Sequence, residues 1–121
     1  MSRAHGVPPL VIEETDGPGG YRIGVTGDLD LATHGALADV LLRAVRCHER
    51  VVVDLDGVAF LDARGIGTLV EAQAAAHARG HALTVDRVGG QPRWLLDLVG
   101  VLPRLSGLGP PQAGQPLRNR P

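Results

Sequence analysis

Lysine is missing from this chain of 121 residues, and all 12 basic residues are arginine. Serine is almost missing as well, with only Ser2 and Ser106. Three aromatic residues, Tyr21, Phe60 and Trp94, leave the core to aliphatic side chains. The single cysteine, Cys47, excludes an intramolecular disulfide and a thiolate metal cluster, and its place on the margin of a predicted helix reads as a structural thiol. No apolar run approaches the roughly 18–20 residues that span a bilayer. Arg3 is not followed by the apolar segment of a signal peptide, so the cytoplasm is the expected location.

Hydrophobic residues make up 44% and charged residues 21%, the balance of a globular chain, and the length favours one domain over two. The net charge of -1 gives no reason to expect a nucleic-acid footprint. The charge is uneven, however. Residues 1–62 carry ten acidic side chains against five arginines, and residues 63–121 carry three against seven. Such a dipole steers a charged partner without identifying it.

Residues 1–9 read as an arm that Pro8-Pro9 keep extended. Leu10 to Glu14 and Tyr21 to Thr26 read as two strands of a hairpin around Asp16-Gly17-Pro18-Gly19-Gly20. From Leu37 the apolar spacing becomes helical through Val40, Leu41, Ala44, Val45 and His48, with Thr33 as the expected N-cap. Val51 to Leu55 predicts a central strand buried on both faces. A second helix is expected from Ala63 or Arg64 to Gly80, followed by a strand from Ala82 to Val88. A third helix opens at Gln91-Pro92 and should bury Leu95, Leu98, Val99 and Leu102. Trp94 sits one step off that face, as core or as an exposed anchor. Pro103 to Leu108 reads as a last short strand, and residues 109–121, rich in proline and glycine, as a disordered tail. The order β-β-α-β-α-β-α, with or without a final β, predicts an α/β domain over residues 10–108. Its sheet is mixed, with four to five strands and three or more helices.

The chemistry concentrates in Val51 to Val70, VVVDLDGVAFLDARGIGTLV. Its first half resembles the opening motif of haloacid-dehalogenase-type phosphohydrolases. That resemblance implies Asp54 as nucleophile and Asp56 as general acid/base beside Mg²⁺. Such chemistry also needs a cation for the phosphoryl group and further metal-holding carboxylates. The chain has no lysine, and no acidic pair follows Asp56. Gly65-Ile66-Gly67 lacks the third glycine of a dinucleotide fingerprint. His77 and His81 are four apart, but Gly80 interrupts the helix they would share, so no metal site is expected.

The whole stretch more closely resembles the STAS domain family of sulfate transporters and anti-sigma factor antagonists. Asp54-Leu55-Asp56-Gly57-Val58 and then Ala59-Phe60-Leu61-Asp62-Ala63-Arg64-Gly65-Ile66-Gly67-Thr68-Leu69 follow the family pattern. Gly27-Asp28-Leu29-Asp30 upstream and Trp94 to Val101 downstream match further family segments in order. The resemblance implies a non-catalytic partner-switching regulator without a cofactor. Its partner is an anti-sigma factor that is a serine kinase of the histidine-kinase-like ATPase fold. No nucleic acid or membrane contact is expected, and a homodimer is left open. The implied binding surface is Asp28, Asp30 and Thr33 together with Asp62, Ala63, Arg64, Gly65, Gly67 and Thr68.

The family's kinase switches the antagonist off by phosphorylating a hydroxyl in the loop that here reads Asp62-Ala63-Arg64-Gly65. The phosphoacceptor position corresponds to Arg64, and neither it nor Ala63 can accept phosphate. The usual switch is therefore expected to be missing. The protein is then either a constitutive antagonist, or a scaffold, sensor or transport-complex accessory domain. Arg64 is either solvated or directed at an acidic group, and Asp28 and Asp30 have the alternative role of capping the turn into the first helix.

Overall fold

A computed structural model describes residues 10–107. The expected arm, residue 108 and the expected tail lie outside them. The elements are β1 (Leu10–Gly17), β2 (Gly20–Leu29), α1 (His34–Cys47), β3 (Arg50–Leu61), α2 (Ala63–Ala78), β4 (Ala82–Asp86), α3 (Gly90–Leu98) and α4 (Leu102–Leu105). Four strands form one mixed sheet in the order β1-β2-β3-β4. The β1–β2 hairpin is antiparallel, and the β2–β3 and β3–β4 pairs are parallel.

The inner face of the sheet carries Ile23 and Val25 from β2, Val51, Val53 and Leu55 from β3, and Leu83 and Val85 from β4, all buried. Leu37, Leu41, Ala44 and Val45 of α1 and Leu69, Ala72 and Ala76 of α2 join the same core. Full burial of each leucine contributes roughly 1.5–3 kcal/mol, so this aliphatic layer needs no aromatic residue. Tyr21 instead closes its end, stacked on His48 with ring centroids 3.9 Å apart.

β3 runs six residues beyond the expected Leu55. Its buried side chains are Val51, Val53, Leu55, Val58 and Leu61, so the step of two becomes a step of three twice. The register with β2 slips at the same places, between Gly24 and Thr26 and between Gly27 and Asp28. Each bulge inserts one residue and turns the next apolar side chain back inward. Gly57 is required at the first bulge, because a Cβ there would lie 2.6 Å from Thr26 Oγ1 and 2.9 Å from the Val25 carbonyl. β4 stops at Asp86, which leaves the end of β3 without a neighbour on that side. The Gln91 carboxamide replaces a strand: its Oε1 accepts from Leu61 N–H at 2.8 Å and its Nε2 donates to Leu61 O at 2.9 Å.

The opposite face of β3 is not sealed by apolar cover as expected. Val52 is only half-buried, and Asp54 lies among arginines. The third helix also differs. Leu96 and Pro92 are buried, Leu95 and Leu102 are partly buried, and Leu98 and Val99 are exposed. Trp94 is 61% exposed. The cause is Gly100, whose φ of +81° ends α3. Val101 N–H bonds back to Leu96 O at 3.1 Å, so the chain restarts as a new helix rather than continuing the apolar stripe. The expected last strand is α4, with Pro103 in its first turn, where a fixed φ suits a helix. Cys47 ends α1 and is exposed rather than packed.

Asp54 is the charge that orders the outer face. Its side chain is 14% exposed, and its Oδ2 lies 3.1 Å from Arg22 and 3.2 Å from Arg87. Its Oδ1 accepts from Asp56 N–H at 2.9 Å. Burial raises the pKa of this carboxyl, but the Asp56 N–H and the two guanidinium groups outweigh it and hold the pKa below the ordinary carboxylate value. Arg22 also meets Asp86 at 2.7 Å, a pair exposed on both sides and worth at most about 1 kcal/mol.

Two outcomes follow from this geometry. Asp54→Asn should cost about 1–2 kcal/mol in urea unfolding at pH 7. Because the folded-state pKa is lowered, that stabilisation is present above about pH 4 and is lost as pH falls through the lowered value. The wild type should therefore lose more stability than Asp54→Asn between about pH 5 and pH 2. Gln91→Leu should cost about 2 kcal/mol, because both backbone groups of Leu61 lose their partners.

Candidate functional site

The ends of β2 and β3 lie side by side, with Asp28 opposite Phe60 and Leu29 opposite Leu61. Asp62 N–H donates to Leu29 O at 3.2 Å and closes the pair. Each strand then turns into a helix at this edge. The turn from Asp28 to Thr33 and the start of α2 at Asp62 thus meet at one end of the sheet, and every candidate site residue is in one or the other.

Asp62 caps α2. Its extended backbone lets Oδ1 accept from Arg64 N–H at 2.9 Å and Gly65 N–H at 3.2 Å. The same carboxylate offsets the unfavourable placement of Arg64 at the positive end of the helix. Gly65 allows the close approach. A Cβ at this position would meet Leu61 Cδ1 at 2.5 Å, and Leu29 Cγ and Leu29 O at 2.9 Å each. Gly67 has no such neighbour within 4 Å.

Thr33 occupies the N-cap position of α1, but its side chain does not cap the helix as expected. The hydroxyl turns back into the preceding loop, donating to Asp28 O at 2.6 Å and accepting from Asp30 N–H at 3.0 Å. Asp30 Oδ1 accepts from Ala32 N–H at 3.0 Å and Thr33 N–H at 3.2 Å, so its carboxylate serves the turn. The Asp28 carboxylate is exposed and makes no hydrogen bond among the described residues. His34 Nδ1 lies 3.3 Å from Thr68 Oγ1 and links the first turn of α1 to α2.

The candidate residues therefore separate into two groups. Thr33, Gly65 and Thr68 are buried, with Thr33 and Thr68 4% and 5% exposed, so they position the loops. Asp28, Ala63 and Arg64 are exposed; Asp30, Asp62 and Gly67 are half-buried. Sequence reasoning missed Leu31 and Phe60, 64% and 43% exposed beside these loops. The available signal was an apolar residue at Leu31, between a turn aspartate and a helix start, where no core face calls for one. Asp54 and Asp56 lie away from this edge, in the bulge, where Arg87 reaches both at 3.2 and 3.7 Å. Asp54 is thereby committed to ion pairs rather than free as a nucleophile.

The two glycines separate packing from helix propensity. Gly65→Ala should destabilise by about 1–3 kcal/mol, because backbone at Leu29 has to move. Gly67→Ala, in open space within the same helix, should stabilise by about 0.5–1 kcal/mol. Denaturant unfolding of the two variants measures both.

The family model described as Mlab, STAS domain, matches residues 15–103. No curated protein matches the chain. Among solved structures, an anti-sigma factor antagonist from Mycobacterium paratuberculosis is 25% identical with a TM-score of 0.68, covering 87% of this chain and 89% of that one. The anti-sigma factor antagonist SpoIIAA in its unphosphorylated form is 14% identical with a TM-score of 0.66, over 77% and 84% of the two chains. A STAS-domain anti-sigma factor antagonist from Rhodobacter sphaeroides, 18% identical with a TM-score of 0.51 over 63% and 84%, shares the fold. The family match spans the end of β1, all of β2, β3 and β4 and both segments that converge at the candidate edge, and the chain belongs to the STAS domain family.

Proposed function

We propose that this protein is an anti-sigma factor antagonist of the partner-switching kind. It binds a kinase-like anti-sigma factor of the histidine-kinase-like ATPase fold through the edge where β2 and β3 enter their helices. It works in the cytoplasm and performs no catalysis. The observation that carries the reading is the convergence of the Asp28–Thr33 turn and the Asp62–Thr68 start of α2 at one sheet edge, with Asp28, Leu31, Phe60, Ala63 and Arg64 exposed around it. The likeness to the Mycobacterium antagonist supports it. Leu31 and Phe60 supply apolar contact, and the charges set orientation.

The partner's kinase finds no acceptor in this loop. Ala63 and Arg64 carry no hydroxyl. The hydroxyls of Thr33 and Thr68, among the candidate residues of this edge, are buried and hydrogen-bonded within the fold. A phosphate would add about -1.5 to -2 charges at this edge, and Arg64 instead holds a constant positive charge there. Binding is therefore constitutive.

The test uses a candidate anti-sigma factor kinase of the ATPase fold from the same genome. Incubation with Mg-ATP should leave the intact mass unchanged and the complex assembled. A gain of about 80 Da, one phosphate group, would show that the switch is retained. Asp28→Arg and Arg64→Glu should each weaken the complex tenfold or more in calorimetry, about 1.4 kcal/mol. If the kinase does not bind at all and the protein is recovered instead with a membrane-associated assembly, the accessory-domain reading replaces this one.

A further inference from the structure

The edge of β4 is covered differently from the rest of the sheet. Gln73 of α2 donates through Nε2 to Leu83 O at 3.2 Å and to Arg104 O at 2.8 Å, which ties β4, α2 and α4 together. Beside this tie lies a cleft of about 350 Å³ between the second half of α2, the start of β4 and α4. Its volume is at the lower end of small-molecule sites. Ala74 and Ala78 make the concavity because their side chains are short, and Leu83 adds an apolar wall.

The polar lining has one sign. His77, His81 and Arg104 face the cleft together with the neutral Gln73 and Thr84, and among the described residues no carboxylate lines it. Among the described residues neither His77 nor Arg104 has an acidic partner within ion-pair distance. His81 Nδ1 lies 2.7 Å from Val45 O, which can only accept, so Nδ1 carries the proton and the ring is fixed. Its Nε2 then becomes a second donor on protonation. His77 is in the last turn of α2. The nearby end carbonyls do not confront an anion, because Ala76 O and His77 O accept from Arg79, Gly80 and His81 N–H groups.

We propose that this cleft binds a small oxyanion, the phosphate or carboxylate group of a metabolite-sized ligand, between Arg104, His77 and His81. It lies about 20 Å along α2 from Arg64, at 1.5 Å per residue, and is separate from the partner-binding edge. The proposal does not depend on which protein that edge binds.

The full-length protein is titrated with inorganic phosphate, butyrate and, as a control, chloride, with amide and imidazole shifts followed by NMR. Phosphate or butyrate should produce saturable shifts at Gln73, His77, Thr84 and Arg104 below about 10 mM, and chloride should not. The arm that saturates first identifies the head group. His77→Gln combined with Arg104→Gln should weaken binding at least tenfold while leaving distant amides unmoved. Ala78→Met keeps every charge and fills the cleft, and it should abolish binding as well. Absence of saturation with both anions, equal shifts with chloride, or unchanged binding in either variant overturns the proposal.

Discussion

The hydrogen bond from Asp62 N–H to Leu29 O, 3.2 Å long, joins the last residue of β2 to the residue that follows β3, its parallel neighbour. The arrangement of the candidate edge depends on it. It requires Leu29 and Leu61 to be in register, and that register exists only because β3 contains two extra residues relative to β2. It also requires α2 to start against Leu29, which leaves no volume for a Cβ at Gly65. Once these conditions hold, Asp62 caps α2 and Asp30 closes the turn into α1 at the same end of the sheet. The exposed side chains inherit their positions from this closure.

The outer face of the sheet shows how local motif and tertiary role diverge. D-x-D-G after an apolar strand suits a metal-assisted nucleophile, and the same letters suit a bulge. Here Asp54 accepts from the Asp56 N–H across the bulge and collects Arg22 from β2 and Arg87 from just past the end of β4. A carboxylate 14% exposed would be costly if left alone. Two guanidiniums and one N–H remove that cost and hold it ionised. Arg87 adopts a φ of +57° to do this, and its carbonyl also accepts from Leu55 N–H. The strain is offset by the bonds it permits.

Much of the fold was legible because its strongest signals are local. The α1 stripe from Leu37 to Val45 and the alternation of Tyr21, Ile23 and Val25 specify their elements without outside help. The end of β3 was not legible, since a bulge turns a period of two into irregular spacing and reads as a loop. The third helix failed for a related reason. Leu95, Leu98, Val99 and Leu102 make an acceptable stripe, but Gly100 in the left-handed region divides them between two helices, and Leu96 takes the core position instead. For the candidate edge, the Asp62 cap was readable from its place before Ala63. The inward turn of the Thr33 hydroxyl was not, because its acceptor is the backbone of Asp28, fixed by pairing with β3.

The chemistry the loop lacks was settled by sequence alone. No fold can give Ala63 or Arg64 a hydroxyl, so the absence of an acceptor at those two positions holds whatever surrounds them. Tertiary structure decided which groups are reachable. Thr33 and Thr68 carry the hydroxyls this loop could have borrowed, and burial against strands and helices distant in sequence withdraws both. The same long-range packing exposes Leu31, Phe60 and Arg64 at one edge and assigns Asp54 to ion pairs at another. A side chain's chemical capacity is local, whereas its solvation and neighbours are set by parts of the chain that meet only on folding.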